Sequence, residues 1–184
     1  DIKDPTYLEF VFGQVADNIT KCTGRFSYPG VGEDYTAEYY YDDNYFKESS
    51  YEYNQNLATM SLCLDLSAWG SEEESDYTRK MRNAEELLNE LGFIGFDHNY
   101  TDFTEEGVNG KPTKDSVGVV AANKLLSFDG KDYTLIAVAV RGGGYEREWA
   151  SNFTMGESGH HEGFSRARDI VISFLQNYVK EQKI

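Results

Sequence analysis

Cysteine, histidine and positive charge are all scarce in this chain, and it has no long apolar run. Its two cysteines, Cys22 and Cys63, lie far apart and match no zinc or redox spacing; one disulfide and two buried free thiols both fit the pair. Its three histidines are His98, His160 and His161. A metal site needs several ligands at useful spacing, and adjacent His160 and His161 project in different directions on most backbones. No metal site is therefore expected. No segment reaches the roughly 18 consecutive apolar residues of a membrane span. Seventeen Lys and Arg stand against 32 Asp and Glu, a net charge of −15. Such a chain repels polyanions, which argues against nucleic acid and anionic membrane surfaces as partners. There is no internal repeat, low-complexity tract or clear linker, so 1–184 reads as a single domain. The sequence starts at Asp1 without Met, as expected of a chain whose leader was removed or of an expressed piece.

The hydrophobic fraction is 40% and the aromatic fraction 15%, so the chain should bury a core and fold. Tyrosine is unusually abundant, and much of it falls in Tyr35 to Tyr53 beside Asp42, Asp43 and Glu48. Tyrosine mixed with acid suits a carbohydrate-facing or partner-facing surface. The preferred reading is an amphipathic extended segment that packs its rings on the body. Residues 1–50 are expected to be an irregular or extended surface segment, and 51–184 to hold helices and the first sheet strands.

Tyr53 to Trp69 carries apolar residues at three-four spacing and predicts a helix stopped by Gly70. A second helix is expected over Asp76 to Leu91, with Gly92 at its C′ position. Phe93 to Phe96 reads as a short strand and Asp97 to Lys111 as a loop. The acidic start of that loop lacks the Gly and Glu that a calcium loop needs. Ser116 to Phe128 and Tyr133 to Arg141 are the clearest strands, and Asp129-Gly130 between them signals a hairpin. Ser165 to Lys180 predicts a long helix with Ala167, Ile170, Val171, Phe174, Leu175 and Tyr178 inward. Asn18, Asn99 and Asn152 each begin an Asn-x-Thr sequon, at a frequency chance alone nearly supplies.

Leu135 to Val140 is a run of small and β-branched apolar residues that ends abruptly in Arg141-Gly142-Gly143-Gly144. It reads as a strand buried on both faces. Glycines there permit a sharp turn and close approach to a ligand, and bare N–H groups can stabilise a developing oxyanion. A plain glycine-rich turn is the competing reading. Beyond the glycines come Trp149 and then His161-Glu162-Gly163-Phe164 leading into the long helix. This series resembles the central part of the class 3 lipases, which are α/β-hydrolases. The resemblance is specific over about Thr134 to Val179. It is thinner at Asn56 to Ser61 and at Lys111-Pro112-Thr113.

The resemblance implies an α/β fold, with an α/β-hydrolase-type mixed sheet flanked by helices. It implies a bacterial lipase or esterase that acts on carboxylic, acylglycerol-type esters through a serine acyl-enzyme, with no cofactor or metal. It makes Gly142, Gly143 and Gly144 the oxyanion loop, with Gly143 at the position two after the Arg. Arg141, Trp149 and His161 become loop supports, Arg141 through a salt bridge to a carboxylate such as Glu146 or Glu148. One departure is decisive. These hydrolases carry the nucleophile on a Gly-x-Ser-x-Gly elbow between a strand and a helix, and no such elbow occurs here. Gly156-Glu157-Ser158-Gly159-His160 comes nearest, but its second Gly is one position early and no apolar strand precedes it. Ser, Asp and His of the triad are thus expected beyond Ile184, and the chain is expected to be the N-terminal portion of the fold, ending before the nucleophile strand. It should be inactive alone and need a C-terminal half. An extracellular or cell-surface location is expected, with a cytoplasmic one still open. The alternative is a non-catalytic interaction or glycan-binding module that keeps a hydrolase-like half fold.

Overall fold

The computed structural model describes residues 19–27, 34–68, 83–99, 117–140, 159 and 161–184. These form a mixed α/β arrangement of three helices and two small antiparallel sheets. β1 (Thr20–Ser27) and β2 (Asp34–Tyr41) make one sheet, with Cys22 opposite Tyr39 and Thr23 opposite Glu38. The order of the other is β3 (Ile94–His98), β4 (Val119–Phe128), β5 (Lys131–Val140). A mixed sheet was expected; every strand pair among the described residues is antiparallel.

Of the segment 1–50 expected to be irregular or extended, residues 19–27 and 34–50 are described. β1 and β2 alternate, and Cys22, Tyr39 and Tyr41 turn inward to near-complete burial, while Lys21, Thr23 and Glu38 face solvent. The rings pack on the body because α1 (Gln55–Ala68) lies across this sheet with Met60, Cys63 and Leu64 in the same core cluster. Between β2 and α1 a 3-10 turn spans Asp43–Lys47, capped by the buried Asp42, whose Oδ1 accepts from the Asn44 N–H at 2.9 Å. The Asn54 side chain caps α1, accepting from the N–H groups of Asn56 and Leu57 at 2.9 and 3.1 Å.

α2 is described over 83–90, and its expected start at Asp76 lies outside the described residues. Ala84, Leu87, Leu88 and Leu91 are buried. Its end is a Schellman motif: Phe93 N–H bonds to Leu88 O at 2.9 Å, Gly92 N–H to Asn89 O at 3.0 Å, and Gly92 has φ +80°. β3 follows and extends through His98, so the chain stays in the sheet past the expected loop start at Asp97.

The β4–β5 hairpin turns on two residues, Asp129 with φ +51° and Gly130 with φ +75°. Positive φ at both central positions is the type I′ geometry, which matches the right-handed twist of the flanking strands. Opposed residues share a sheet face, so Val120, Ala122, Ala137 and Ala139 meet α1's core, whereas Asn123, Ile136 and Val138 lie on the opposite face. α3 (Glu162–Gln182) packs on that second face against β4. There the Asn123 side-chain amide donates to the Tyr178 hydroxyl at 2.8 Å, with both residues buried. The expectation that Leu135 to Val140 is buried on both faces is corrected. Val138 is 37% and Val140 39% exposed, because among the described residues β5 is an edge strand and α3 covers its neighbour.

Asp65 of α1 is half-buried, and burial raises its carboxyl above the ordinary value of 3.8. A raised carboxyl means that the folded state binds the proton more tightly. The destabilisation is present above the folded pKa and vanishes below the unfolded one. Asp65→Asn should therefore melt higher than the parent at pH 7. The advantage should be gone by about pH 3, below the usual Asp range near 3.9. Equal melting temperatures at both pH values would refute this.

Candidate functional site

The strongest candidate in the sequence begins where β5 ends. Arg141, Gly142, Gly143, Gly144 and Trp149 lie outside the described residues, as do Ser158 and His160. Both flanks are described. Val140 closes β5 opposite Val119. On the far side His161 is the N-cap of α3. Its Nδ1 accepts from the Phe164 N–H at 3.4 Å, and its ring centroid lies 4.8 Å from that of Phe164. The side chain is thus engaged in organising the helix start.

The other described histidine, His98, sits in β3 beside Phe96, 6.2 Å between ring centroids. Burial lowers its pKa, against an upward pull from Asp97 and Glu85. Its imidazole is therefore held toward the neutral form. Among the described residues no group of three or more His, Cys, Asp or Glu is arranged to hold a metal ion. No described helix is long and apolar enough to cross a membrane.

The two cysteines are both buried free thiols. Cys63 sits against Gly24 of β1, and Tyr39 lies between the cysteines' surroundings, opposite Cys22 in the sheet. Burial pushes both thiols up, and the Glu90 carboxylate adds to the effect on Cys22. Burial likewise raises the Tyr39 hydroxyl, with the two thiols and Glu90 contributing. A nucleophilic thiolate needs the opposite surroundings, electropositive and partly open. This cluster is built for packing.

Two arrangements escaped sequence reasoning. Lys124, in the largely apolar β4, reaches toward α2 and the 3-10 turn. Its Nζ donates to Asp43 Oδ1 and to the Leu91 carbonyl, each at 2.7 Å, and lies 5.0 Å from the centroid of the Tyr41 ring. The Tyr41 hydroxyl donates to the same Asp43 oxygen at 2.7 Å, and burial, reinforced by Asp43, holds that phenol protonated. One ammonium thus joins both sheets and the end of α2. No single segment predicts it, because its partners lie 33 and 81 positions away.

The second is a groove of about 320 Å³ between β1 and α2, lined by Lys21, Cys22 and Thr23 on one side and Asn83, Glu86, Leu87 and Glu90 on the other. The helix residues follow three-four spacing and so share one face. A heavily polar groove of this size suits a polar ligand better than the apolar molecules that fill typical pockets.

Asn99, which begins a sequon, has both ends of its side-chain amide engaged. Nδ2 donates to the Val117 carbonyl at 2.9 Å, and Oδ1 accepts from the Val119 N–H at 2.8 Å. Comparison of the chain with protein-family models, with curated proteins and with solved structures found no match in any of the three.

Proposed function

We propose that this chain is the N-terminal part of a lipase- or esterase-like serine hydrolase of α/β-hydrolase type, and that it supplies the oxyanion loop. The observation that carries the reading is the order of elements around that loop. A hairpin strand, β5, runs directly into Arg141-Gly142-Gly143-Gly144, and 21-residue α3 starts at a capping His161 followed by Gly163-Phe164. That order supports the resemblance to the class 3 lipases noted in the sequence. The free edge of β5 among the described residues leaves room for the further strands a larger sheet requires.

In this reading a serine from the part after Ile184 attacks an acylglycerol-type ester carbonyl. The carbonyl oxygen takes up the negative charge, and the Gly143 N–H, flanked by those of Gly142 and Gly144, donates to it. A preorganised donor of this kind stabilises the transition state by about 3–4 kcal/mol. The alcohol leaves with the proton the histidine base took from serine, and water then hydrolyses the acyl-enzyme. Arg141 anchors the loop and Trp149 packs beneath it. The protein acts outside the cell or at its surface.

The test is a fluorophosphonate probe combined with intact mass. The 184-residue chain should stay unlabelled, and a longer polypeptide that continues past Ile184 should gain one adduct on serine. In that polypeptide Gly143→Pro, which deletes the donor N–H, should lower kcat by about 100-fold or more with little change in KM. Labelling of the 184-residue chain itself, or an unlabelled longer polypeptide, would overturn the proposal. The second outcome would favour a non-catalytic interaction or glycan-binding module. The observation on that side is a pair of exposed rings, Tyr51 at 97% and Tyr53 at 82%, in the segment before α1.

A further inference from the structure

Among the described residues the outer edge of β1 is open, and its hydrogen-bonding groups face the groove. The Tyr40 N–H donates to Asn56 Oδ1 of α1 at 3.0 Å, so it points away from β1. Tyr40 stands opposite Lys21 in the sheet register. Opposed residues of an antiparallel pair either exchange both backbone bonds or neither. The N–H and C=O of Lys21 therefore also point away from β2, and those of Thr23, two residues on, point the same way. Both residues line the groove. Among the described residues no strand pairs with this edge.

The opposite wall is acidic. Glu86 and Glu90 are exposed and stand one turn apart, about 6 Å along the helix axis. Lys21 does not neutralise this wall, because its ammonium is paired with Glu38 at 2.9 Å. Leu87 and Cys22 form a buried floor between the walls. Side chains at i and i+2 of an extended peptide point the same way and lie about 6.7 Å apart, close to the axial rise between the two glutamates.

We propose that this groove receives an extended basic peptide segment as a third strand on the open edge of β1. Two Lys or Arg side chains at i and i+2 meet Glu86 and Glu90. The residue between them is small and apolar and turns to the opposite side. Backbone bonds to Lys21 and Thr23 supply affinity, and the charge spacing supplies selectivity, as in other strand-addition sites. The proposal is independent of the hydrolase reading, since it concerns a different edge, a different sheet and no catalytic group.

The experiment is fluorescence anisotropy with a labelled octapeptide that has Lys-Val-Lys at its centre. Two further peptides are compared, one with Glu-Val-Glu at the centre and one with the lysines kept but the central backbone nitrogens methylated. The Lys-Val-Lys peptide should bind saturably, and neither of the others should. The Glu86→Gln/Glu90→Gln double variant should weaken binding by roughly tenfold, as expected for two exposed ion pairs, with its circular dichroism spectrum unchanged. Saturable binding that survives backbone methylation would reveal capture of cations without strand addition and overturn the proposal. Absence of saturable binding by the Lys-Val-Lys peptide would overturn it as well.

Discussion

Replacing Gly24 by alanine is expected to destabilise the protein by about 3 kcal/mol, the upper end for overpacking a core. Gly24 is buried in β1, and a Cβ built there would fall 2.5 Å from the Cβ of Cys63 and closer still to its Sγ. Neither atom can move aside easily. Cys63 is fully buried, its side chain is short, and it is fixed to the backbone of α1. The Tyr39 ring, 3.6 Å from the same point, closes another direction. The helix would have to lift from the sheet and open contacts across the cluster that holds Cys22, Tyr39, Met60 and Leu64. Urea unfolding would show a lower midpoint for Gly24→Ala. Adding Cys63→Ala should recover part of the loss, because it removes the sulfur and leaves the Cβ contact. A parent-like midpoint for Gly24→Ala would show that the two elements are not in such close contact.

Lys124→Met should cost about 2–3 kcal/mol. The substitution keeps an apolar stem beside Tyr41 but removes the ammonium. It leaves the Leu91 carbonyl without its donor and the Asp43 carboxylate with the Tyr41 hydroxyl but no cation. Breaking a buried pair from one side costs more than the pair contributes, since the remaining charge is stranded. Lys124 is 18% exposed but Asp43 is 36% exposed, so the loss falls below that of a fully enclosed pair. Asp43→Asn would reveal the coupling. If the ion pair dominates, the double variant should be little worse than Lys124→Met alone, and strict additivity would argue for independent contacts.

Elements with a local signature were legible in the sequence. Asp129-Gly130 carries its turn geometry in two residues, and the three-four spacing of α1 and α3 gives both helices to within a few positions. Gly92 was legible as a helix stop for the same reason. The β1–β2 hairpin was not. Its inward positions on β1 hold Cys22 and Gly24 instead of β-branched residues, and the volume Gly24 lacks is filled by Cys63, some 40 positions later. On β2 three successive tyrosines conceal an alternation in which 39 and 41 are buried and 40 is only partly so. The exposed face of β5 was missed because apolar residues at 136, 138 and 140 look the same whether or not a helix covers them. At the candidate site, the place of His161 before a helix was legible, while the glycine loop itself falls outside the described residues.

Asn99 has a consequence for how this protein can be altered. Its side chain and its own N–H, which bonds to Val119 O at 3.2 Å, tie position 99 to 117 and 119. The ends of the stretch 100–116 are thus held together by bonds that do not involve its own residues. Asn99 is therefore the residue that any redesign of the chain between 99 and 117 must leave untouched.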